Sequence, residues 1–249
     1  MRRREFVTHS AAMGLVIAAA SVPDVLSLGA NAFGSSLGPS TGSGNKLTPP
    51  AKGSIPVAFA ISEGVTVIDF AGPWEVFQDV MVPARGKEMD EQMPFQLYTV
   101  SEKTETLTGS GGLKLVPDYT FETAPAPKVV VVPAQKGSTA LHKWLRTVTE
   151  STDVTMSVCT GAFQLARAGL LAGKPATTHH DFIERLAKQF PDIEVKRGLR
   201  FVEGPKLSTA GGLSSGIDLA LRVVDRYFGR EVAERTAGYM EYQSKGWIA

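Results

Sequence analysis

Short apolar runs alternate with amphipathic stretches along most of the chain. Three runs, at 55–61, 128–134 and 154–158, have the length and β-branched content of strands buried on both faces. Shorter strands are predicted at 95–101, 193–195, 199–202 and 207–209, with a hairpin arm at 111–121. Apolar residues recur at helical spacing at 72–81, 138–150, 160–171, 179–190, 215–228 and 230–242. This alternation predicts an α/β fold with a mostly parallel central sheet.

The ends of two helices can also be predicted. Pro73 suits a first helical turn, so the first helix is expected to begin at Gly72. Ser138 is expected to cap the helix that follows the 128–134 strand.

The pattern breaks down at the N-terminus. Arg3 and Arg4 precede Phe6 and Val7, and an apolar stretch at 11–22 follows that is too short to cross a bilayer of about 30 Å. This layout resembles a twin-arginine export signal, which predicts a signal peptide at 1–33 and a periplasmic or secreted protein. The twin-arginine translocase is then an expected partner during export. A mitochondrial-type presequence or a frayed terminus is the alternative.

A Gly-, Ser- and Pro-rich stretch at 34–53 lacks apolar periodicity and predicts a flexible linker, so the folded domain is expected at 54–249. The formal net charge is +1 over 249 residues, which gives no electrostatic case for nucleic acid or an anionic membrane surface. No membrane association is expected after signal cleavage. The chain has one cysteine, which excludes an intrachain disulfide and a multi-cysteine metal site. No metal or organic cofactor is expected.

That cysteine, Cys159, follows the strand predicted at 154–158 and precedes a predicted helix. Ligands of parallel sheets bind beyond the carboxyl ends of the strands, where Cys159 and the 62–72 loop are expected to meet. A helix starting near Thr160 is expected to lower the thiol pKa. Gly161 and Ala162 are expected to leave backbone N–H groups open to an incoming anion. The alternative is a buried packing cysteine.

A second nucleophile pattern, GLSSG at 212–216, matches the G-x-S-x-G elbow with Ser214 at its centre. That arrangement needs a histidine after the serine. The histidines are His9, His142, His179 and His180, all before it. A serine hydrolase is therefore rejected, and the glycines are expected to let the following helix approach the sheet.

Several segments together resemble one known family. They are AFAISEGVTVIDFAGPWEVF, GGLKLVPDYTF, VVVVPA, SVCTGAFQLARAGLLAGKPATTHH and GGLSSGIDLALRVVDRYFG. In this order they are similar to segments of the ThiJ/PfpI superfamily, which has a class I glutamine amidotransferase-like fold, and within it to the isonitrile hydratase-like branch. The resemblance implies a flavodoxin-like three-layer sandwich, a homodimer, and a cysteine that faces a small pocket near the subunit interface.

The resemblance also implies roles for individual residues. Cys159 matches the family's nucleophile, Thr160 the residue after it, and Asp69 the carboxylate beside it, so these three are the expected catalytic residues. Glu63 is an alternative carboxylate. Asp69 as a cap of the 72–81 helix, and Thr160 as an ordinary first-turn residue, are the structural alternatives.

Substrate-binding roles are expected for Gly72, Gly161 and His179. His180 stands where the branch has an aromatic residue, so the shape or polarity of the pocket is expected to differ from that branch. The structural alternative for His179 is a helix-start residue without chemistry.

The implied function is the addition of water to a small substrate such as an isonitrile, giving an N-substituted formamide. The Cys159 thiolate would attack the terminal carbon while Asp69, its pKa raised by burial, supplies a proton. One alternative is glyoxalase- or deglycase-type chemistry on reactive carbonyls with His179 as base. Another is a non-catalytic periplasmic small-molecule binder or redox sensor.

Overall fold

The computed structural model describes residues 44–248. The strands in this range are β1 (Ile55–Ala60), β2 (Phe95–Ser101), β3 (Leu107–Thr108), β4 (Lys114–Leu115), β5 (Tyr119–Thr120), β6 (Val129–Val132), β7 (Val154–Ser157), β8 (Pro175–Ala176), β9 (Glu194–Val195), β10 (Phe201–Glu203) and β11 (Leu207–Ala210). The helices are α1 (Val67–Gln78), α2 (Met89–Gln92), α3 (Thr139–Thr149), α4 (Ala162–Arg167), α5 (Ile183–Gln189), α6 (Ser215–Phe228) and α7 (Arg230–Tyr239).

The main sheet has seven strands in the order β10-β11-β7-β6-β1-β2-β5. Every neighbouring pair is parallel except β10 with β11. Helices α1, α6 and α7 cover one face of the sheet, and α3, α4 and α5 cover the other. The predicted flavodoxin-like α/β sandwich is therefore confirmed.

The central strands are buried on both faces. Val57 and Phe59 of β1 pack with α1 and α6, whereas Ala58 and Ala60 face the α3 and α4 side. All four residues of β6 are likewise buried, alternately on the two sides. Double burial explains why these segments are continuous apolar runs rather than alternating ones.

The first helix differs from its prediction. It begins at Val67 instead of Gly72, and Pro73 lies inside it. Starting one turn earlier buries Asp69 and Phe70 against the sheet, and this burial offsets the hydrogen bond that Pro73 cannot donate. Asp69 therefore lies within the first turn of α1, and the idea that it caps a helix starting at Gly72 is wrong.

The helices around the cysteine are shorter than their apolar patterns suggest. A 3-10 turn over Cys159–Gly161 precedes α4, and another over His180–Phe182 precedes α5. The end of α6 and the Ser138 cap agree with the prediction, since Ser138 Oγ accepts a hydrogen bond from the Leu141 amide. The predicted hairpin arm divides into a small β3–β4 hairpin and β5, which joins the main sheet beside β2.

Residues 44–53 contain neither helix nor strand, yet they contact the domain. Arg226 donates to the carbonyl of Asn45, Arg85 donates to that of Pro50, and Leu47 packs against the core. The boundary at Ser54 stays a prediction. The predicted signal at 1–33 lies outside the described residues. Within the described range, no helix is both long and apolar enough to cross a membrane.

Candidate active site

Cys159 occupies a strained elbow at the end of β7. Its backbone φ is +57°, a left-handed conformation that non-glycine residues rarely adopt. Three contacts hold it there. The Cys159 amide donates to the Gly211 carbonyl at 2.7 Å, the preceding Val158 amide donates to the Val132 carbonyl, and the Thr178 hydroxyl donates to the Cys159 carbonyl at 2.8 Å. The cysteine is therefore positioned by neighbouring strands and loops rather than by its own helix.

Gly161 is required by the close approach of two chain segments at this elbow. A Cβ at this position would collide with the carbonyl oxygen of Val132. Its amide donates to the Val158 carbonyl, and the Ala162 amide donates to the Cys159 carbonyl. The prediction that these two N–H groups are open to an incoming anion is therefore wrong, because the turn itself uses both.

Asp69 reaches the cysteine from α1 and is fully buried. Its Oδ2 accepts a hydrogen bond from the Ala134 amide at 3.1 Å. Its Oδ1 has no partner with good hydrogen-bond geometry among the described residues, although the Cys159 thiol and the Leu213 amide both lie close enough to act on the carboxyl. Burial raises the pKa of Asp69 to about 6, and these three donors oppose part of that rise.

The pKa of the Cys159 thiol is raised rather than lowered, contrary to the prediction. Burial raises the pKa of Cys159 to about 11, and the neighbouring Asp69 charge adds to the rise. The Thr160 and Leu213 amides lower the pKa, but by less. The expected lowering by a helix N-terminus is outweighed because the cysteine is only 8% exposed and α4 begins after the 3-10 turn. Near neutral pH the main form of the pair is therefore a neutral thiol beside a carboxylate, so the two groups together carry one proton.

The backbone amide of Leu213 is a hydrogen-bond donor that sequence analysis did not predict. Its φ is +53°, and its amide has no backbone acceptor among residues 44–248. Together with the Thr160 amide it lies by the sulfur and favours negative charge there. These two N–H groups take the place of the pair predicted at Gly161 and Ala162.

A buried ion pair supports the loop that carries Leu213. The Arg200 guanidinium binds Asp218, which is fully buried in the first turn of α6. The Gly211 amide donates to the Arg200 carbonyl at 2.9 Å, and the Tyr242 hydroxyl donates to the Ser214 carbonyl at 3.2 Å. The 211–214 loop is thus held at both ends. Nothing in the sequence pattern pointed to this network.

Glycines let α6 approach its neighbours. A Cβ at Gly216 would come within 2.9 Å of the Val158 side chain, and a Cβ at Gly72 within 2.8 Å of the Ile217 side chain. Gly72 therefore lies where α1 packs on α6, and its predicted substrate-binding role stays a prediction. Ser214, in the rejected elbow motif, is exposed and lies near Arg200.

The Glu63 and His179 side chains form their hydrogen bonds with residues other than the Cys159–Asp69 pair. The Glu63 carboxylate is exposed and accepts from the Thr108 amide at 2.9 Å. The His179 Nδ1 accepts from the Asp181 amide at 3.2 Å, which matches the helix-start alternative. The His179 ring also packs against Gly212, next to Leu213, and burial lowers its pKa. Within residues 44–248, neither side chain forms a hydrogen bond or an ion pair with Cys159.

Among the described residues, His179, His180 and Asp181 form a group of side chains of the kinds that bind metal ions. Ligating atoms of His179, His180 and Asp181 lie within 4.8 Å of one another. Two of the three residues are exposed, and His179 Nδ1 already accepts a hydrogen bond, so this group is a weak candidate for a metal.

The sequence and the fold are similar to those of known proteins. The model of the DJ-1/PfpI family matches residues 56–226. The chain belongs to the DJ-1/PfpI family. Isonitrile hydratase of Pseudomonas putida is 31% identical over 198 residues, which are 76% of this chain and 79% of that protein. The transcriptional regulator GbdR of Pseudomonas aeruginosa is 25% identical over 192 residues, and the match spans 50% of the regulator's length.

Solved structures of the family agree with the architecture. A ThiJ/PfpI family protein from Pseudomonas syringae superposes with a TM-score of 0.66 at 27% identity, covering 79% of this chain and 78% of that one. DJ-1beta of Drosophila melanogaster superposes with a TM-score of 0.64 at 16% identity, covering 77% of this chain and all of that one (100%). The second likeness concerns the fold alone.

Proposed function

We propose that this DJ-1/PfpI protein adds water to a small electrophile such as an isonitrile, with Cys159 as nucleophile and Asp69 as the group that moves the proton. The contact between Asp69 and the thiol, with the pKa of Asp69 raised to about 6, carries the proposal. Similarity to isonitrile hydratase, at 31% identity, supports this choice of substrate class.

The reaction balances with the groups at the elbow. Cys159 Sγ attacks the terminal isonitrile carbon while Asp69 takes the thiol proton and delivers it to that carbon, which gives a thioimidate. Water adds to the same carbon, with Asp69 accepting one of its protons and the nitrogen gaining one. The C–S bond then breaks, sulfur regains its proton, and an N-substituted formamide leaves.

The single proton on the pair serves this sequence. A carboxylate with a pKa of about 6 can accept a proton from the thiol and return it to carbon near neutral pH. The Thr160 and Leu213 amides stabilise negative charge on sulfur as it develops. The Thr160 hydroxyl, which makes no hydrogen bond within the described range, is proposed to orient the water.

Export is proposed as well, whereas the homodimer stays a prediction from the family resemblance. Arg3, Arg4 and the apolar stretch after them support transport by the twin-arginine system to the periplasm or outside the cell. Arg3→Lys with Arg4→Lys is expected to leave the protein in the cytoplasm, as measured by fractionation of the producing cells.

The direct test of function is hydration of cyclohexyl isocyanide by the purified protein. Cys159→Ala is expected to abolish formation of the formamide, because no other thiol exists in the chain. Circular dichroism of the variant is expected to match the parent protein. A Cys159→Ala protein that still turns over the isonitrile would end the covalent proposal.

A second candidate is a ligand-binding domain without turnover. It is favoured by the match between this chain and half of the regulator GbdR. Saturable binding of small molecules by the parent protein, without conversion of any isonitrile or of methylglyoxal, would support it. The two reactive-substrate classes are separated in the same assay, since a glyoxal reaction would lose its proposed base in His179→Ala.

A further inference from the structure

A shallow depression lies next to the elbow, on the side of the sheet covered by α4 and α5. Thr160 forms part of its wall, and Phe163 and Phe182 form its apolar part. Its polar lining consists of Gln135, Lys136, Gln164, Arg167 and Arg185. The depression therefore combines one aromatic platform with three positive charges, and no acidic residue lines it.

Within the part of the chain that the structure describes, these charges have no acidic partner, unlike several arginines elsewhere in the domain. Arg197, Arg200, Arg222 and Arg230 each form a salt bridge with an acidic side chain. Lys136, Arg167 and Arg185 form none among residues 44–248. The acidic residues that precede Arg185 are engaged elsewhere: Glu184 binds Arg197, and Asp181 contacts the two histidines. The depression thus concentrates uncompensated positive charge.

The two guanidinium groups converge on one ring. Their central carbons each lie 5.8 Å from the centroid of Phe163. Stacking of this kind holds an arginine in place while leaving its N–H groups free to bind an anion. Guanidinium forks match the two oxygens of a carboxylate or the oxygens of a phosphate.

Hydrogen bonds of a buried side chain hold together the two segments that carry the cations. The Gln164 side chain is buried, accepts from His142 at 2.9 Å and donates to the Gln135 carbonyl at 3.0 Å. These bonds tie the loop that carries Lys136 to α4, which carries Arg167. The cations therefore project from a hydrogen-bonded frame.

We infer that this depression binds the anionic group, a carboxylate or a phosphate, of a small molecule whose other end reaches Cys159. Thr160 lines the depression and directly follows Cys159, so the depression ends one residue from the proposed nucleophile, although Cys159 itself does not line it. The link to Cys159 rests on the proposed function, whereas the binding of an anion does not.

The first experiment measures ligand binding and does not depend on turnover. Calorimetry on the full chain measures affinity for ω-formamido carboxylates with one to five methylene groups, and for the matching uncharged amides. At least one carboxylate is expected to bind at least about tenfold more tightly than its amide. That advantage is expected to disappear in the double variant Arg167→Gln with Arg185→Gln. Arg235→Gln, an exposed arginine on α7 and so on the opposite face of the sheet, is the matched control and is expected to leave it unchanged.

Competition identifies the preferred anion. Inorganic phosphate and acetate are added separately to the complex of parent protein and carboxylate. Stronger displacement by phosphate assigns the depression to phosphorylated molecules, and stronger displacement by acetate assigns it to carboxylic acids. The inference is overturned if neither a carboxylate nor inorganic phosphate binds the parent protein better than the uncharged amides do, or if the double variant retains the preference.

The kinetic arm uses ω-isocyano carboxylates and their ethyl esters. In the double variant the KM of the best carboxylate is expected to rise at least about tenfold, with the KM of its ester unchanged. Arginine-dependent binding without turnover of any isonitrile would retain the anion site and reject the proposed function. Turnover with equal KM values for acid and ester in both proteins would reject the anion site and retain the proposed function.

Discussion

Two buried aspartates on either side of the 211–214 loop make an instructive comparison. Asp69 and Asp218 are both fully buried, each lies in the first turn of its helix, and each has an Oδ1 without a hydrogen-bond partner among the described residues. Their helices, α1 and α6, pack against each other. The two residues differ in what stands opposite the carboxyl.

Asp218 has a full positive charge beside it, the Arg200 guanidinium. Asp69 has only the Ala134 amide, the Leu213 amide and a thiol. Burial without a cation raises the pKa of Asp69 to about 6, so this carboxyl can exchange a proton near neutrality. The same residue type can therefore exchange a proton near neutrality at one position and support a loop at the other.

The largest expected effect is on catalysis, in Asp69→Asn. Removing the group that moves the proton is expected to lower kcat/KM for an isonitrile by about 10²- to 10⁴-fold. Glu63→Gln, an exposed carboxylate nearby in the chain, is the matched control and is expected to stay within about twofold of the parent protein. Equal losses in both variants would mean that general charge near the site, rather than Asp69, drives the reaction.

The same variant separates function from stability. Because the folded-state pKa of Asp69 is raised, this group's contribution to stability is fully present below about pH 4 and is lost as pH rises through about 6. Asp69→Asn removes that titration. Its melting temperature is expected to fall less than that of the parent protein between pH 4 and 6, and a steeper fall would contradict the raised pKa.

The next effect is on folding, in Asp218→Ala. It leaves Arg200 without a partner and is expected to lower the free energy of unfolding by about 2 to 3 kcal/mol, less than for a fully buried pair because the Arg200 side chain is 17% exposed. Denaturant unfolding measures the loss. In Asp218→Leu with Arg200→Met, which removes both charges, the loss is expected to be smaller. An equal or larger loss in that double variant would show that the charge pair is not the cause.

A smaller effect concerns pH. In the proposed reaction the active form has one proton on the Cys159–Asp69 pair, so kcat/KM is expected to fall about tenfold between pH 7 and pH 5 and to stay level from about pH 7 to pH 10. Asp69→Asn is expected to lose the acidic limb. A rise in kcat/KM centred near pH 8 to 9 would instead indicate reaction through an ordinary free thiol.

Much of the fold followed from local patterns. The four valines of β6 and the amphipathic spacing of α6 are strong because burial on both faces, or on one, dictates them directly. The start of α1 was predicted wrongly because Pro73 favours a helix that begins next to it. The tertiary contacts that bury Phe70 instead extend the helix back to Val67. A single proline is local information, whereas the burial of the preceding turn depends on the sheet.

The candidate site, too, could be predicted only in part from the sequence. The positions of Cys159 at a strand end and of Asp69 shortly after β1 could be predicted from strand order and the family resemblance, but Asp69 was expected in a loop and lies in the first turn of α1. The Leu213 amide, the Thr178 hydroxyl and the Arg200–Asp218 pair could not, because they depend on distances between segments far apart in the chain. The direction of the thiol pKa was missed for the same reason: helix position is readable from sequence, but depth of burial is not.

The most direct test of the Cys159–Asp69 pair is a titration of the Asp69 carboxyl by ¹³C NMR. Aspartate is labelled at its side-chain carboxyl carbon, and the Asp69→Asn spectrum identifies the signal. We expect a midpoint near pH 6 that shifts when Cys159→Ala removes the thiol. A midpoint near 3.8, the ordinary value, that is unchanged by Cys159→Ala would contradict the proton-sharing pair.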